Sequence, residues 1–204
     1  AYTVKLFQLL TQLLPAGGAG SVSTVPGSCK GFVAAEPARR RKIFRQLTEC
    51  GQAIAALAEK SGRDLHLGLE PEPCCLIETT DETIAFFNEW RTVEPAAASL
   101  LRHVGVNYDC CHLGVEFEEA PTSLDRLAAA GLRLSKLHLS SALRVKPDAA
   151  GREALRAFVE PVYLHQVVVG HGHTVRKRYV DLPDALADAT PSQPFSPAVK
   201  VRPT

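Results

Sequence analysis

Two short apolar runs that end in carboxylates constrain this chain more than any other feature: Leu65–Cys75, LHLGLEPEPCC, and Gly105–His112, GVNYDCCH. A strand buried on both faces reads as a near-continuous apolar segment, the pattern of parallel sheets covered by helices. Such sheets present their chemistry at the carboxyl ends of the strands. Glu70 and Asp109 stand at those ends. Period-two alternation sends Glu70 and Glu72 to one side of the strand, whereas Asp109 and His112 lie three apart, where strand geometry gives way to a loop. Two strand ends therefore offer acid and imidazole groups to one mouth.

The rest of the chain supplies elements between and around these strands. The spacing of Val4, Leu6, Phe7, Leu9, Leu10, Leu13 and Leu14 predicts an apolar-faced helix stopped by Pro15. The β-branched run Ser21–Val25 predicts a strand, followed by the loop PGSCK. Its small residues and free amides could approach a ligand, or it is a plain strand-to-helix link. A long helix from about Pro37 to Ser61 has proline at its start and Gly62 at its end. Its run Arg39, Arg40, Arg41, Lys42 points to different sides of the helix without an aromatic surface, the mark of a solvated helix rather than a phosphate-tracking patch. Thr79 and Glu82 form a capping box for a helix through Phe86, Phe87 and Trp90. After Pro95 comes a short helix, then GVNYD, a loop from Cys110 to Pro121, and a helix over Leu124–Ala130 ended by Gly131. In SKLHLSS, Ser135–Ser141, alternation puts Lys136, His138 and Ser140 on one face. A last strand is expected over Pro161–Val169, followed by RYVDLPDALAD with a helix from Pro183.

Helix and strand alternate with crossovers long enough for parallel pairing, which predicts an α/β fold of four or five βα units. A closed eight-stranded barrel typically takes about 250 residues, against 204 here, and the chain has no methionine, even at position 1. We therefore expect a partial barrel over residues 1–189, followed by an unstructured Pro-rich tail, 190–204. A net charge of +1 gives no general attraction to nucleic acid. No apolar run reaches the roughly 20 residues of a membrane span and no signal peptide is recognisable, so a cytoplasmic setting is expected. The six cysteines include no C-x-x-C spacing, which suggests reduced thiols rather than a disulfide framework.

Taken together, SVSTVPGS, LGLEPEPCC, NYDCCH, SKLHLSSAL, EPVYLHQV and RYVDLPDAL resemble one family, metabolite traffic protein EboE, a branch of the xylose isomerase-like TIM barrels. That superfamily also holds sugar epimerases and type IV apurinic endonucleases. The resemblance runs to about Leu186 and implies a partial (β/α) TIM barrel. It implies that Glu70 binds a divalent metal and serves as acid/base, that Asp109 and His138 are metal ligands, that His112 contacts substrate or metal, and that Lys136 faces the same interior. Family members extend further at both ends, and their final-strand glutamate ligand has no counterpart here. The expectation is thus the later part of a barrel, with activity in question.

Carboxylate and imidazole donors suit Mn²⁺, Zn²⁺, Co²⁺ or Mg²⁺. Such an ion can hold two adjacent sugar oxygens while Glu70 moves a proton at the neighbouring carbon. The leading expectation is a divalent-metal-dependent isomerase or epimerase of a sugar phosphate or cyclitol, involved in synthesis or traffic of a small metabolite. The second is a non-catalytic barrel that binds a polyol or partner chain. The third, a metal-dependent phosphodiesterase, would call for a basic groove. An open barrel edge would favour self-association. Plainer readings stand beside each residue: His138 as a core histidine, Glu72 as a solvated loop acid, the tandem cysteines as packing, and His171 and His173 as exposed turn residues.

Overall fold

The computed structural model describes residues 2–36, 38–172 and 174–188, together with the backbone alone of Ala198–Val199. In chain order the elements are α1 Tyr2–Leu13, β1 Ala19–Thr24, α2 Lys30–Ala35, α3 Ala38–Ser61, β2 Asp64–Leu69, α4 Thr80–Val93, α5 Ala97–Leu100, β3 Val104–Asp109, α6 Cys110–Val115, α7 Ala120–Ala129, β4 Leu134–His138, β5 Leu143–Arg144, α8 Ala149–Arg156, β6 Val167–His171, β7 Thr174–Tyr179, α9 Leu182–Ala187 and β8 Ala198–Val199. They gather into two compact units. The first takes the chain up to Tyr108 plus Leu124–His138; the second takes Asp109–Ser123 and the chain from Leu139 onward.

The first unit is the βα assembly that the alternation predicts. Its strands form an all-parallel curled sheet in the order β1-β2-β3-β4, flanked by helices. The curl brings β4 back toward β1, so that Lys136 Nζ donates to Ser23 Oγ at 3.4 Å across two intervening strands. Both middle strands are buried almost throughout. Their outer side packs on helices whose buried residues recur at helical spacing, as with Phe44, Leu47, Thr48, Gly51, Ile54 and Ala58 on α3. Phe44, Phe86, Phe87 and Trp90 pack in series with ring centroids 5.0, 5.9 and 6.0 Å apart, the first pair tilted and the other two edge-to-face, the arrangement that aromatic quadrupoles favour. The Trp90 indole N–H donates to Thr48 Oγ1 at 2.9 Å, which satisfies the one polar atom of the largest core side chain.

Local signals account for the element ends. Thr79 caps α4 by accepting from Glu82 N–H at 3.2 Å, and the Glu82 carboxylate in turn accepts from Glu78 N–H at 2.8 Å. Two residues of the basic run at the start of α3 are paired: Arg39 meets Glu36, and Arg40 meets Glu89 while lying over the Phe44 and Phe86 rings. The amides of Gly27, Ser28 and Lys30 donate to the carbonyls of Val25, Pro26 and Cys74. The PGSCK loop is therefore a link between strand and helix, not a set of free donors. Pro37, expected to open α3, lies outside the described residues.

Two expectations are corrected in the second unit. The segment from Cys110, expected as loop, is helical over α6, because the Asp109 carboxylate accepts from both Cys111 and His112 N–H groups and so caps a helix start. The last expected strand starts later, is shorter and pairs antiparallel. Residues 161–166 are not strand; Val162, Tyr163 and Leu164 are exposed, and the Glu160 carboxylate holds the amides of Val162 and Tyr163 in a bend. Only β6 extends, pairing antiparallel with β7. His171 pairs with Thr174, so two residues join the strands, and Gly172 takes φ +59°. A two-residue link can connect only antiparallel neighbours. Four strands are parallel, and the fifth expected one is not. This unit packs its own small core of Leu155, Val167, Val169 and Leu182. The expected tail lies outside the described residues except at Ala198–Val199, whose backbone pairs with β5 and β6.

Thr48→Val should leave the Trp90 N–H buried without an acceptor and destabilise the fold by roughly 1–3 kcal/mol. Urea unfolding would show this as a lower midpoint with an unchanged slope.

Candidate metal centre

The carboxyl ends of the parallel strands carry a connected polar group in the first unit. Glu70 follows β2, and His138 closes β4; their carboxylate Oε1 and imidazole Nδ1 lie 3.5 Å apart. Asn107 of β3 stands between them, its amide nitrogen donating to Glu70 Oε2 at 2.7 Å and lying 3.2 Å from His138 Nδ1. The Asn107 side chain is fully buried, whereas Glu70 and His138 keep 18% and 32% of their side-chain surface exposed. The middle residue is thus sealed in the sheet while the outer two reach solvent.

Strand register explains why these three meet. Gly68 pairs with Gly105, so two positions on, Glu70 and Asn107 project to the same side. Neither glycine could carry a side chain there. A Cβ on Gly68 would lie 2.9 Å from the Asn107 Cβ, and one on Gly105 would lie 2.2 Å from the Arg133 carbonyl oxygen. Bare Gly68 leaves room for Asn107, and bare Gly105 lets the Arg133 backbone and the Ser135 side chain approach.

The donor set fits a divalent cation. A carboxylate and an imidazole nitrogen suit the borderline metals. Asn107 Oδ1 is buried and finds no hydrogen-bond partner among the described residues. A buried carbonyl oxygen left in that state is unfavourable unless something else approaches it.

Of the residues expected from sequence, Glu70 and His138 come together, with Lys136 two positions before His138 on β4 and bonded to Ser23. Asp109 and His112 come together in the second unit. There Asp109 Oδ1 accepts from Ser140 Oγ at 2.5 Å, Cys111 N at 2.9 Å and His112 N at 3.2 Å, and His112 Nε2 lies 4.0 Å from Asp109 Oδ2. Both are buried. Glu72 instead accepts from the Cys75 thiol at 3.9 Å. His171 is exposed, and His173 lies outside the described residues. No protein-family model matches the chain, and no curated protein matches it.

The sequence reading missed Asn107 and Ser23, and it placed Ser140 on a face without giving it a role. Asn107 carried a usable signal: it is polar inside an apolar run, and it sits two residues before Asp109, on the same side of the strand. Ser23 carried none, because its role depends on the curl that brings Lys136 to β1.

At the opposite end of the sheet, His66 is buried with its Nδ1 unpartnered among the described residues. Burial pushes its imidazole below the ordinary value, and the nearby Arg133 adds to this. Arg133 also forms a two-pronged pair with Asp64 at 2.6 and 2.9 Å, which holds that carboxyl below its usual range.

The sign of the pH effect follows. Below about pH 6.5 the unfolded chain takes up a proton that folded His66 refuses, so its contribution to stability is intact above that pH and declines as pH falls toward the lowered folded value. Urea midpoints between pH 8 and pH 5 should fall more steeply for the unaltered chain than for His66→Asn. Parallel curves would contradict this.

Proposed function

We propose that the chain is a partial (β/α) barrel of the xylose isomerase-like kind that binds one divalent cation at Glu70 and His138 and acts on a sugar phosphate or cyclitol as an isomerase or epimerase. The observation that carries the proposal is the carboxylate and imidazole set 3.5 Å apart at two strand ends. The sequence resemblance to the EboE family supports it. Asp109, the last residue of β3, is proposed as a further donor on the sequence resemblance alone. His112 is proposed as a substrate contact.

When bound, the cation would polarise a carbonyl or hydroxyl oxygen of the substrate and stabilise the charge left when a neighbouring carbon loses a proton. Glu70 is the base that takes that proton and the acid that returns it. Asn107 fixes the Glu70 carboxylate by holding one of its oxygens at 2.7 Å. Lys136 brings a positive charge to the same face of the sheet, suited to a developing enediolate oxygen or a substrate phosphate. Ser23, to which it is bonded, sets its reach.

A binding-only reading draws on the same groups: Ser23, Asn107 and Lys136 offer hydroxyl, amide and ammonium contacts that would hold a polyol whether or not a proton moves. Solvent exchange separates the two. An epimerase or isomerase incorporates deuterium from D₂O at the carbon beside the carbonyl, and a binder does not.

Titration calorimetry with Mn²⁺ and Zn²⁺ tests the centre itself. Binding should be abolished, or weakened at least about tenfold, in Glu70→Gln and His138→Gln, a loss of about 1.4 kcal/mol or more. Asp109→Asn should weaken it comparably if it is the third donor. Unchanged affinity in folded Glu70→Gln would place the ion elsewhere.

A further inference from the structure

Two cysteines from different loops face each other in the first unit. Cys29 closes the loop after β1 and Cys75 lies in the loop after β2, and the two pair as an isolated antiparallel bridge. The bridge's hydrogen bonds flank the pair rather than joining it: Lys30 N–H donates to the Cys74 carbonyl at 3.1 Å, and Leu76 N–H donates to the Ser28 carbonyl at 2.7 Å. Cys29 and Cys75 therefore occupy a non-hydrogen-bonded position. Opposed residues there have Cα atoms about 4.5 Å apart and side chains closer than at the alternate position. A disulfide spans Cα separations of about 4.4–6.8 Å. Cys74 holds a different backbone geometry, with φ +68° and its N–H bound to the Glu78 carboxylate at 2.5 Å.

We propose that Cys29 and Cys75 form a reversible disulfide on exposure to a peroxide, tying together the loops that follow β1 and β2. The modification is independent of whether a metal binds at Glu70.

Exposure assigns the roles. Cys29 is half-buried and accessible, while Cys75 is buried. Burial, with the Glu72 carboxylate beside it, pushes the Cys75 thiol up to about 12, so it stays protonated near neutral pH. Cys29 is then the attacking thiol, after losing its proton to water. Its thiolate attacks one peroxide oxygen; the O–O bond breaks, hydroxide departs, and Cys29 becomes a sulfenic acid. The Cys75 sulfur next attacks the Cys29 sulfur. The S–OH bond breaks, and the Cys75 proton passes by way of Glu72, 3.9 Å from the thiol, to the departing hydroxide. The two thiols give up two electrons to the peroxide, which leaves as two waters. A dithiol reductant reverses the bond.

The test uses the full chain, first reduced, then treated with about one equivalent of hydrogen peroxide, alkylated and mapped by peptide mass spectrometry. The expected result is loss of two of the six thiols and a Cys29–Cys75 link that dithiothreitol removes. The link should persist in Cys74→Ser and vanish in Cys29→Ser and Cys75→Ser. Because the bond closes a long loop, the oxidised chain should also unfold at a higher temperature than the reduced chain. A link that survives in Cys75→Ser, a bond through Cys74 or the second unit's cysteines, or oxidation of Cys29 to a sulfinic acid with no link would each overturn the proposal. Circular dichroism confirms that the compared samples are folded, and the Cys74→Ser map decides the partner even if Cys75→Ser fails to fold.

Discussion

Strands buried on both faces leave polar side chains few places to go, and this constraint shapes the first unit. β2 and β3 are buried along nearly their whole length, one side against α3 and its neighbours. A charged or polar group can be carried by such a strand only near its end or with a partner. Glu70, Asn107 and His138 meet both conditions at once: they lie at carboxyl ends, and each is bonded to the next. The same rule governs the opposite end, where Asp64 is paired with Arg133 and buried His66 is held toward its neutral form.

The parallel sheet was legible because it rests on local patterns. Apolar runs, Pro and Gly at helix ends, and the Thr79 cap are all written in adjacent residues. The site was half legible for the same reason: Glu70, Asp109, Lys136 and His138 announce themselves as polar residues ending apolar strands. Asn107 needed the further step of asking which side of β3 it shares. Ser23 depended on sheet curl, a property of four strands together that no single stretch encodes.

Where the reading failed, a short-range signal was outweighed by another nearby. Pro161–Val169 has strand composition, yet the two-residue link after His171 dictates an antiparallel hairpin, and the Glu160 carboxylate bends the segment before it. Asp109 was read only as a ligand, although an Asp before two small residues is also a helix cap. The structure shows it in that capping role. The tandem cysteines were read as packing by their adjacency in sequence; Cys75, one of them, faces Cys29 of a different loop.

Convergence of Glu70 and His138 on a cation is the centre of the proposed chemistry. Anomalous diffraction from crystals grown with Mn²⁺ tests it most directly. The account predicts a manganese peak at about 2.0–2.3 Å from a Glu70 carboxylate oxygen and a His138 imidazole nitrogen, the usual range for such bonds. A well-ordered crystal in which both side chains keep their places and the manganese peak lies elsewhere, or is missing, would contradict it.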